Sequence, residues 1–174
     1  MHHLRFVILM CAIFLTSCGY TTGSLLPSNY KTIHVEHFPN KVTYINETSR
    51  SLYIPLLESR AREAIVDRFL FDGHLRVSDS DRADLILQGE LTGFERSELR
   101  LTDNQDVEEF RIQITVSLTM TDPVDQKVLW REPSFVGEAT YFTTGPQARS
   151  EAAALEEALT DLARRVVERM IEDW

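Results

Sequence analysis

The sequence predicts an α+β domain: a two-layer sandwich in which two helices pack on one face of a mixed, mostly antiparallel sheet. The sheet has four strands and can take one further short strand. Three observations predict this class. Apolar and polar residues alternate with period two in several segments, most clearly over 110–121. Apolar residues recur at helical spacing in two others. The resulting order β, α, β, β, β, β, α lets both helices cover one apolar sheet face.

The N-terminal half supplies one strand, one helix and a second, short strand. Residues 32–38 alternate and are rich in β-branched side chains, which is typical of a strand. A helix is predicted over 52–71, with Pro55 in its first turn and Gly73 as its left-handed cap. The short strand follows at 75–77. Because a helix joins the two strands, they can form a parallel, right-handed βαβ unit.

The C-terminal half supplies three strands and the last helix. The strands are predicted over 85–94, 110–121 and 128–142, and a polar connection over 97–106 separates the first two. Ser150 is suited to cap the helix that follows. The second face of the central strand carries only Arg, Gln, Thr and Ser side chains. This face is therefore predicted to be wet or to meet a polar partner.

The N-terminal residues predict an exported lipoprotein. The n-region carries Arg5, and the apolar run 6–15 falls well short of the roughly 20 residues that a membrane-spanning helix needs. Leu15-Thr16-Ser17-Cys18 then resembles the cleavage box of bacterial lipoproteins. We therefore expect residues 1–17 to be a signal peptide, cleaved between Ser17 and Cys18, and Cys18 to carry the covalent lipid, palmitate included.

Two alternatives to lipidation are a plain secretory signal, which would leave Cys18 unmodified, and a buried N-terminal helix or strand. Gly19 stands where an aspartate retains enterobacterial lipoproteins at the inner membrane. Glycine therefore favours the outer membrane of a Gram-negative cell, with the domain facing the periplasm. Residues 18–31 are predicted to tether the lipid to a single domain, residues 32–174. The stretch 19–31 extends at most about 45 Å, which favours action near the membrane.

Composition excludes several classes of function. The chain has a formal net charge of −9 and no long basic tract, so binding to nucleic acid is excluded. Of the two cysteines, Cys11 leaves with the signal and Cys18 is acylated. None then remains for a disulfide, a zinc site or a thiol nucleophile.

The polar residues predict no catalytic or metal site. His34 and His37 are three apart in a strand, so their side chains point to opposite faces. Asp79, Asp81 and Asp84 lack the glycine and the closing glutamate of a calcium loop, so a charged turn is the better interpretation. Hydrolase, metalloprotease and phosphate-loop motifs do not occur. We therefore expect a protein that is not an enzyme and has no cofactor or metal beyond the lipid on Cys18.

Four basic residues lie on or near the predicted hairpin of strands 110–121 and 128–142: Arg96, Arg111, Lys127 and Arg131. They form the one obvious basic cluster of an acidic sequence, and long basic side chains pair well with phosphate groups. We treat them as a candidate contact with the phosphate groups of a ligand or with a partner. The alternative is that they are ordinary surface charges.

Several short segments, taken in order, resemble the LptE family of lipopolysaccharide-assembly lipoproteins. They are Cys18-Gly19-Tyr20, Lys31-Thr32-Ile33-His34-Val35, Phe38-Pro39-Asn40, the segments 69–77 and 83–91, and Val128-Leu129-Trp130. The resemblance spans most of the mature chain. It implies a two-helix, four-stranded sandwich that sits as a plug in the β-barrel protein LptD. It also implies that the protein assists barrel assembly and the delivery of lipopolysaccharide to the outer leaflet, without enzymatic activity.

Two other functions stay open at this point. The first is an outer-membrane lipoprotein that regulates an envelope enzyme, such as a peptidoglycan synthase, by surface docking; the short tether argues against it. The second is a carrier of a soluble ligand, which requires a deep apolar pocket.

Overall fold

The computed structural model describes residues 27, 29–43 and 53–172, in which a five-stranded sheet packs against two helices. In chain order the elements are β1 (Thr32–Val35), α1 (Leu57–Asp72), β2 (Arg76–Val77), β3 (Leu85–Leu101), β4 (Val107–Asp122), β5 (Lys127–Phe142) and α2 (Glu151–Glu172). This confirms the fold class and the element order expected from the sequence. The proposed signal 1–17, Cys18 and most of the tether lie outside the described residues.

The sheet has the strand order β2-β1-β3-β4-β5. β1 pairs in parallel with both β2 and β3, whereas β3, β4 and β5 are antiparallel neighbours. Because α1 connects β1 to β2, the parallel unit predicted for this part of the chain is present. The long β3–β4–β5 meander makes up the rest of the sheet.

The hydrophobic core lies between the two helices and one face of the sheet. α1 buries the stripe Leu57, Ala61, Ile65 and Phe69, as its helical spacing predicts. β4 buries every second residue: Ile112, Ile114, Val116, Leu118 and Met120. Two ion pairs show that the helices run parallel to each other. Arg60 of α1 pairs with Glu156 of α2, and Arg68, further along α1, pairs with Glu168, further along α2. Ser150 caps α2 by accepting a hydrogen bond from the backbone N–H of Ala153 at 3.1 Å.

The start of α1 differs from the prediction. The helix begins at Leu57, and Pro55 lies in the turn before it rather than in its first turn. Leu56 adopts a left-handed backbone with φ 59°, which a helix cannot continue through. Propensity and periodicity do not register such a conformation, so the predicted helix extended too far towards the N-terminus.

β3 is longer than the sequence predicts. It continues to Leu101, so most of the polar connection expected over 97–106 is strand, and only residues 102–106 form the turn. β4 pairs with it along this whole extension, as far as Leu101 opposite Val107. The backbone ladder holds the extension together. Its side chains therefore need not alternate between apolar and polar. Because a strand is predicted from such alternation, the sequence does not predict this extension.

Candidate partner-docking face

The sheet face opposite the helices is open and polar. We call it the polar face. It carries Gln88, Glu90 and Thr92 of β3, Arg111, Gln113, Thr115, Ser117, Thr119 and Thr121 of β4, and Arg131, Glu138 and Thr140 of β5. On β4 these residues alternate with fully buried ones, because successive side chains of a strand point to opposite faces. The polar second face predicted for this strand is therefore observed.

Hydrogen bonds between neighbouring strands order the polar face. The Gln113 side-chain amide donates to Glu138 Oε2 at 3.1 Å, and the Thr92 hydroxyl donates to the Thr115 carbonyl oxygen at 3.2 Å. Arg111 Nε lies 4.0 Å from the same Glu138 carboxylate. The face thus offers a fixed pattern of donors and acceptors, which is suited to another polar surface more than to a lipid chain.

A depression of about 480 Å³ lies on the polar face, where the end of β1 approaches β3, β4 and β5. Glu36, His37, Glu90 and Arg131 contribute to its lining. It forms beside Pro133, where the pairing of β4 with β5 shifts register. The lining is mixed in charge, unlike the deep apolar pocket that a soluble-ligand carrier requires.

The structure does not gather the four predicted basic residues at one place. Arg111 and Arg131 are both on the polar face, opposite Thr140 and Thr119 respectively. At roughly 3.4 Å per residue, their positions are about 27 Å apart along the sheet. Lys127 is exposed at the first position of β5.

Arg96 lies on the helix side of the sheet. Its Nη1 donates to Glu151 Oε2 of α2 at 2.6 Å, and its guanidinium carbon is 5.2 Å from the centre of the Phe110 ring. The hydrogen bond to the Glu151 carboxylate raises the pKa of Arg96 above its usual value. Arg96 therefore ties β3 to the first turn of α2 and does not belong to the polar face.

The glutamates that pair with basic residues were missing from the sequence-based prediction. Glu138 faces Arg111, and Glu109 Oε2 lies 3.6 Å from Arg100 Nε. Strand register creates these pairs, and no spacing within one segment reveals them.

Asp84 and Asp122 hold the start of the domain in place. Asp84 accepts hydrogen bonds from the backbone N–H groups of Lys31 and Thr32, at 2.8 and 2.9 Å. The hydrogen bond from Lys31, which has the largest effect, and those from Thr32 lower the pKa of the Asp84 carboxyl. Burial acts in the opposite direction but is outweighed. The Tyr30 hydroxyl donates to Asp122 Oδ2 at 3.0 Å. The predicted charged turn thus includes one aspartate that anchors the first strand.

Two further findings concern the part of the chain that the structure describes. Its histidine and acidic side chains form no group of three or more that could hold a metal ion. Neither of its helices has the length and apolar character needed to cross a membrane.

Comparison with known proteins adds a family and a fold. A family model described as LptE, lipopolysaccharide-assembly, matches residues 30–170. No curated protein matches the sequence.

Solved structures with a similar fold include three bacterial proteins of low sequence identity. A PelC dodecamer from Paraburkholderia phytofirmans has a TM-score of 0.52 and 14% identity, over 87% of this chain and 96% of that one. A protein of Xanthomonas campestris has a TM-score of 0.51 and 15% identity, over 80% and 84%. A hypothetical protein of Chlamydia trachomatis has a TM-score of 0.50 and 13% identity, over 80% and 95%. At such identities the likeness concerns the fold alone.

Proposed function

The chain belongs to the LptE family of lipopolysaccharide-assembly proteins, and we propose that it is an outer-membrane lipoprotein that docks within an LptD-like β-barrel. In that position it assists assembly of the barrel and delivery of lipopolysaccharide to the outer leaflet. The proposed role is structural and has no catalytic step. The family match, which covers nearly the whole described domain, carries this proposal.

The polar face is the surface that we assign to the barrel. The interior of an outer-membrane barrel is polar, because its strands alternate lipid-facing apolar and lumen-facing polar side chains. Thr115, Ser117 and Thr119 form a central row of hydroxyls on β4, and Gln113 extends it. Hydroxyls both donate and accept hydrogen bonds. Such a row can therefore pair with a polar wall without leaving buried charges unpaired.

The lipid anchor would hold the domain where this docking occurs. Cys18 follows the cleavage box directly, and the stretch 19–31 reaches at most about 45 Å. A regulator of a peptidoglycan synthase must reach further across the periplasm, so the short tether favours a partner within the outer membrane.

Direct contact with lipopolysaccharide is assigned to three of the four predicted basic residues. Arg111 and Arg131 lie on the polar face, whereas Lys127 is exposed at the first position of β5, opposite Asp122. Their cationic groups suit the phosphates of lipopolysaccharide. We leave Arg96 out of this group because it lies on the helix side of the sheet, where it pairs with Glu151.

Site-specific photo-crosslinking in the outer membrane tests the docking face. A photoreactive residue at Thr92, exposed on the polar face, should yield an adduct of the lipoprotein with a large barrel protein. The matched control is Thr160, which is exposed on α2. An adduct from Thr160 alone would assign docking to the helices, and absence of any barrel adduct would contradict the proposed function. Capture of a peptidoglycan synthase would support the alternative role.

A further inference from the structure

Large exposed apolar side chains occur before α1 (Tyr53 and Leu56), beside the β3–β4 turn (Leu99 and Leu101) and at the end of the domain where the tether joins. At this last place, Phe71 is 82% exposed in the last turn of α1, next to the exposed Leu70. Val124 is 86% exposed in the β4–β5 turn, and Val128 is exposed just after it. We call these four residues the apolar rim. Exposed apolar residues that occur as a group commonly mark a contact with another molecule or with a membrane.

The two parts of the apolar rim lie on either side of the point where the tether joins the domain. The Tyr30 hydroxyl donates to Asp122, the last residue before the β4–β5 turn. On the other side, the Arg76 backbone N–H donates to the Lys31 carbonyl oxygen at 2.9 Å. Arg76 follows the end of α1 by a few residues, so the last turn of α1 lies at this same end. Both parts of the rim therefore flank the first residues of the fold.

We propose that the apolar rim rests on the phospholipid surface of the membrane that holds the Cys18 lipid, with Phe71 and Val124 entering the headgroup region. The proposal rests on the lipid anchor of the proposed function. Between Cys18 and Pro27 the chain spans at most about 32 Å. The lipid therefore keeps this end, rather than the far end of the β3–β4 hairpin, close to the bilayer.

The contacts around the rim suit a membrane interface. The Arg68 guanidinium carbon lies 5.4 Å from the centre of the Phe71 ring. An aromatic ring beside a long basic side chain is typical of interfaces, where the ring enters and the cation reaches the phosphates. The Asp84 and Asp122 carboxylates at this end accept hydrogen bonds from backbone N–H groups, so they are held against the domain and do not extend towards a bilayer.

The charges at this end predict an apolar rather than an electrostatic contact. Lys31 and Lys127 are exposed there, but so are Asp81 and Asp125. With both signs present, attraction to anionic lipid is weak, and contact should depend on the apolar side chains. It should therefore persist in vesicles of phosphatidylcholine alone and at high ionic strength.

The test uses the full lipoprotein with one introduced thiol, since Cys11 is lost with the signal and Cys18 is acylated. Phe71→Cys and Val124→Cys, each labelled with an environment-sensitive fluorophore, are reconstituted into phosphatidylcholine vesicles. Asp103→Cys in the β3–β4 turn is the matched control; β4 separates it from the rim by about 50 Å. We expect blue-shifted emission and several-fold weaker quenching by iodide at positions 71 and 124, but not at position 103.

Equal quenching at all three positions would overturn the membrane contact. Mass spectrometry of the same samples establishes whether Cys18 carries lipid, so failure of the anchor is distinguished from failure of the rim. Two other outcomes would also overturn the proposal. A blue shift that requires anionic lipid would make the contact electrostatic, and concentration-dependent protection without vesicles would assign the rim to a second copy of the chain.

Discussion

Gly137 of β5 lies so close to Leu162 of α2 that a Cβ atom on the glycine would be 2.4 Å from the leucine Cβ. The same atom would be 2.6 Å from the Ala158 carbonyl oxygen. Both distances are well below van der Waals contact, and the second involves backbone that cannot rotate away. The absence of a side chain at Gly137 therefore sets how closely α2 approaches the edge strand of the sheet.

Gly137→Ala should lower the free energy of unfolding by about 1–3 kcal/mol, because α2 must move outwards to admit the methyl group. Urea unfolding followed by circular dichroism measures the change. Gly93→Ala is the matched control, since its Cβ would meet only the Thr115 side chain, at 3.2 Å. Equal losses in the two variants would contradict this account of the helix–sheet contact.

Gly89 and Phe38 should be energetically coupled. A Cβ at Gly89 would lie 2.3 Å from Phe38 Cζ, and that ring is fully buried. Gly89→Ala alone should therefore be destabilising, and its penalty should shrink in a Phe38→Leu background, where the outer ring atoms are gone. A double-mutant cycle of unfolding free energies measures the coupling. Strict additivity would show that the ring moves aside at no cost.

Periodicity in the sequence was sufficient to predict the elements but not the face on which Arg96 lies. Leu87 and Leu91 point into the core, so simple alternation would put Arg96 on the polar face with Arg111. The register of β3 against β4 shifts between Leu91 and Gly93. One extra residue reverses the direction of every later side chain, so Arg96 faces α2 instead. Bulges depend on pairing between strands, which a single segment does not encode.

The dependence of strands on pairing also explains why the length of β4 was predicted more closely than that of β3. The central strand β4 was predicted closely because one of its faces is buried along most of its length. The extension of β3 to Leu101 was missed because its residues are mostly exposed on both sides of the hairpin. Burial on one face produces the pattern that sequence analysis detects, and backbone pairing without burial does not.

Arg96→Ala should weaken the attachment of α2 to the sheet without lowering the affinity for lipopolysaccharide. The Arg96–Glu151 pair is partly exposed, so its loss should cost no more than about 1 kcal/mol of unfolding free energy. Hydrogen exchange at the first turn of α2 should increase in the variant. Lipopolysaccharide binding that falls as strongly as when Arg111 and Lys127 are both replaced by glutamate would return Arg96 to the candidate site.

Asp84 should make the stability of the domain depend on pH in the acid range. Hydrogen bonds from Lys31 and Thr32 lower the pKa of its carboxyl in the folded state. Its contribution is therefore complete above the unfolded pKa of about 3.9 and is lost as pH falls through the lower folded value. Because the carboxylate is partly exposed, Asp84→Asn should cost only about 1 kcal/mol at pH 7. Urea unfolding should show this difference shrinking below pH of about 4, and a constant difference would contradict the assignment.

Charge reversal at Arg111 and Lys127 should weaken binding of lipopolysaccharide while leaving the fold intact. The double variant Arg111→Glu and Lys127→Glu replaces cations suited to phosphate groups with anions that repel them. Affinity for purified lipopolysaccharide should fall several-fold, whereas the circular dichroism spectrum should not change.

The matched control for that variant is Arg164→Glu. Arg164 is a surface arginine of α2 that pairs with Asp161 and Glu168, so the control changes surface charge away from the polar face. Because lipopolysaccharide is polyanionic, any acidic substitution weakens its long-range attraction somewhat, and salt screens that part. A loss in the double variant that exceeds the loss in the control at physiological salt therefore reports local contact. Equal losses would remove Arg111 and Lys127 from the candidate site and leave docking to the barrel as the sole role of the polar face.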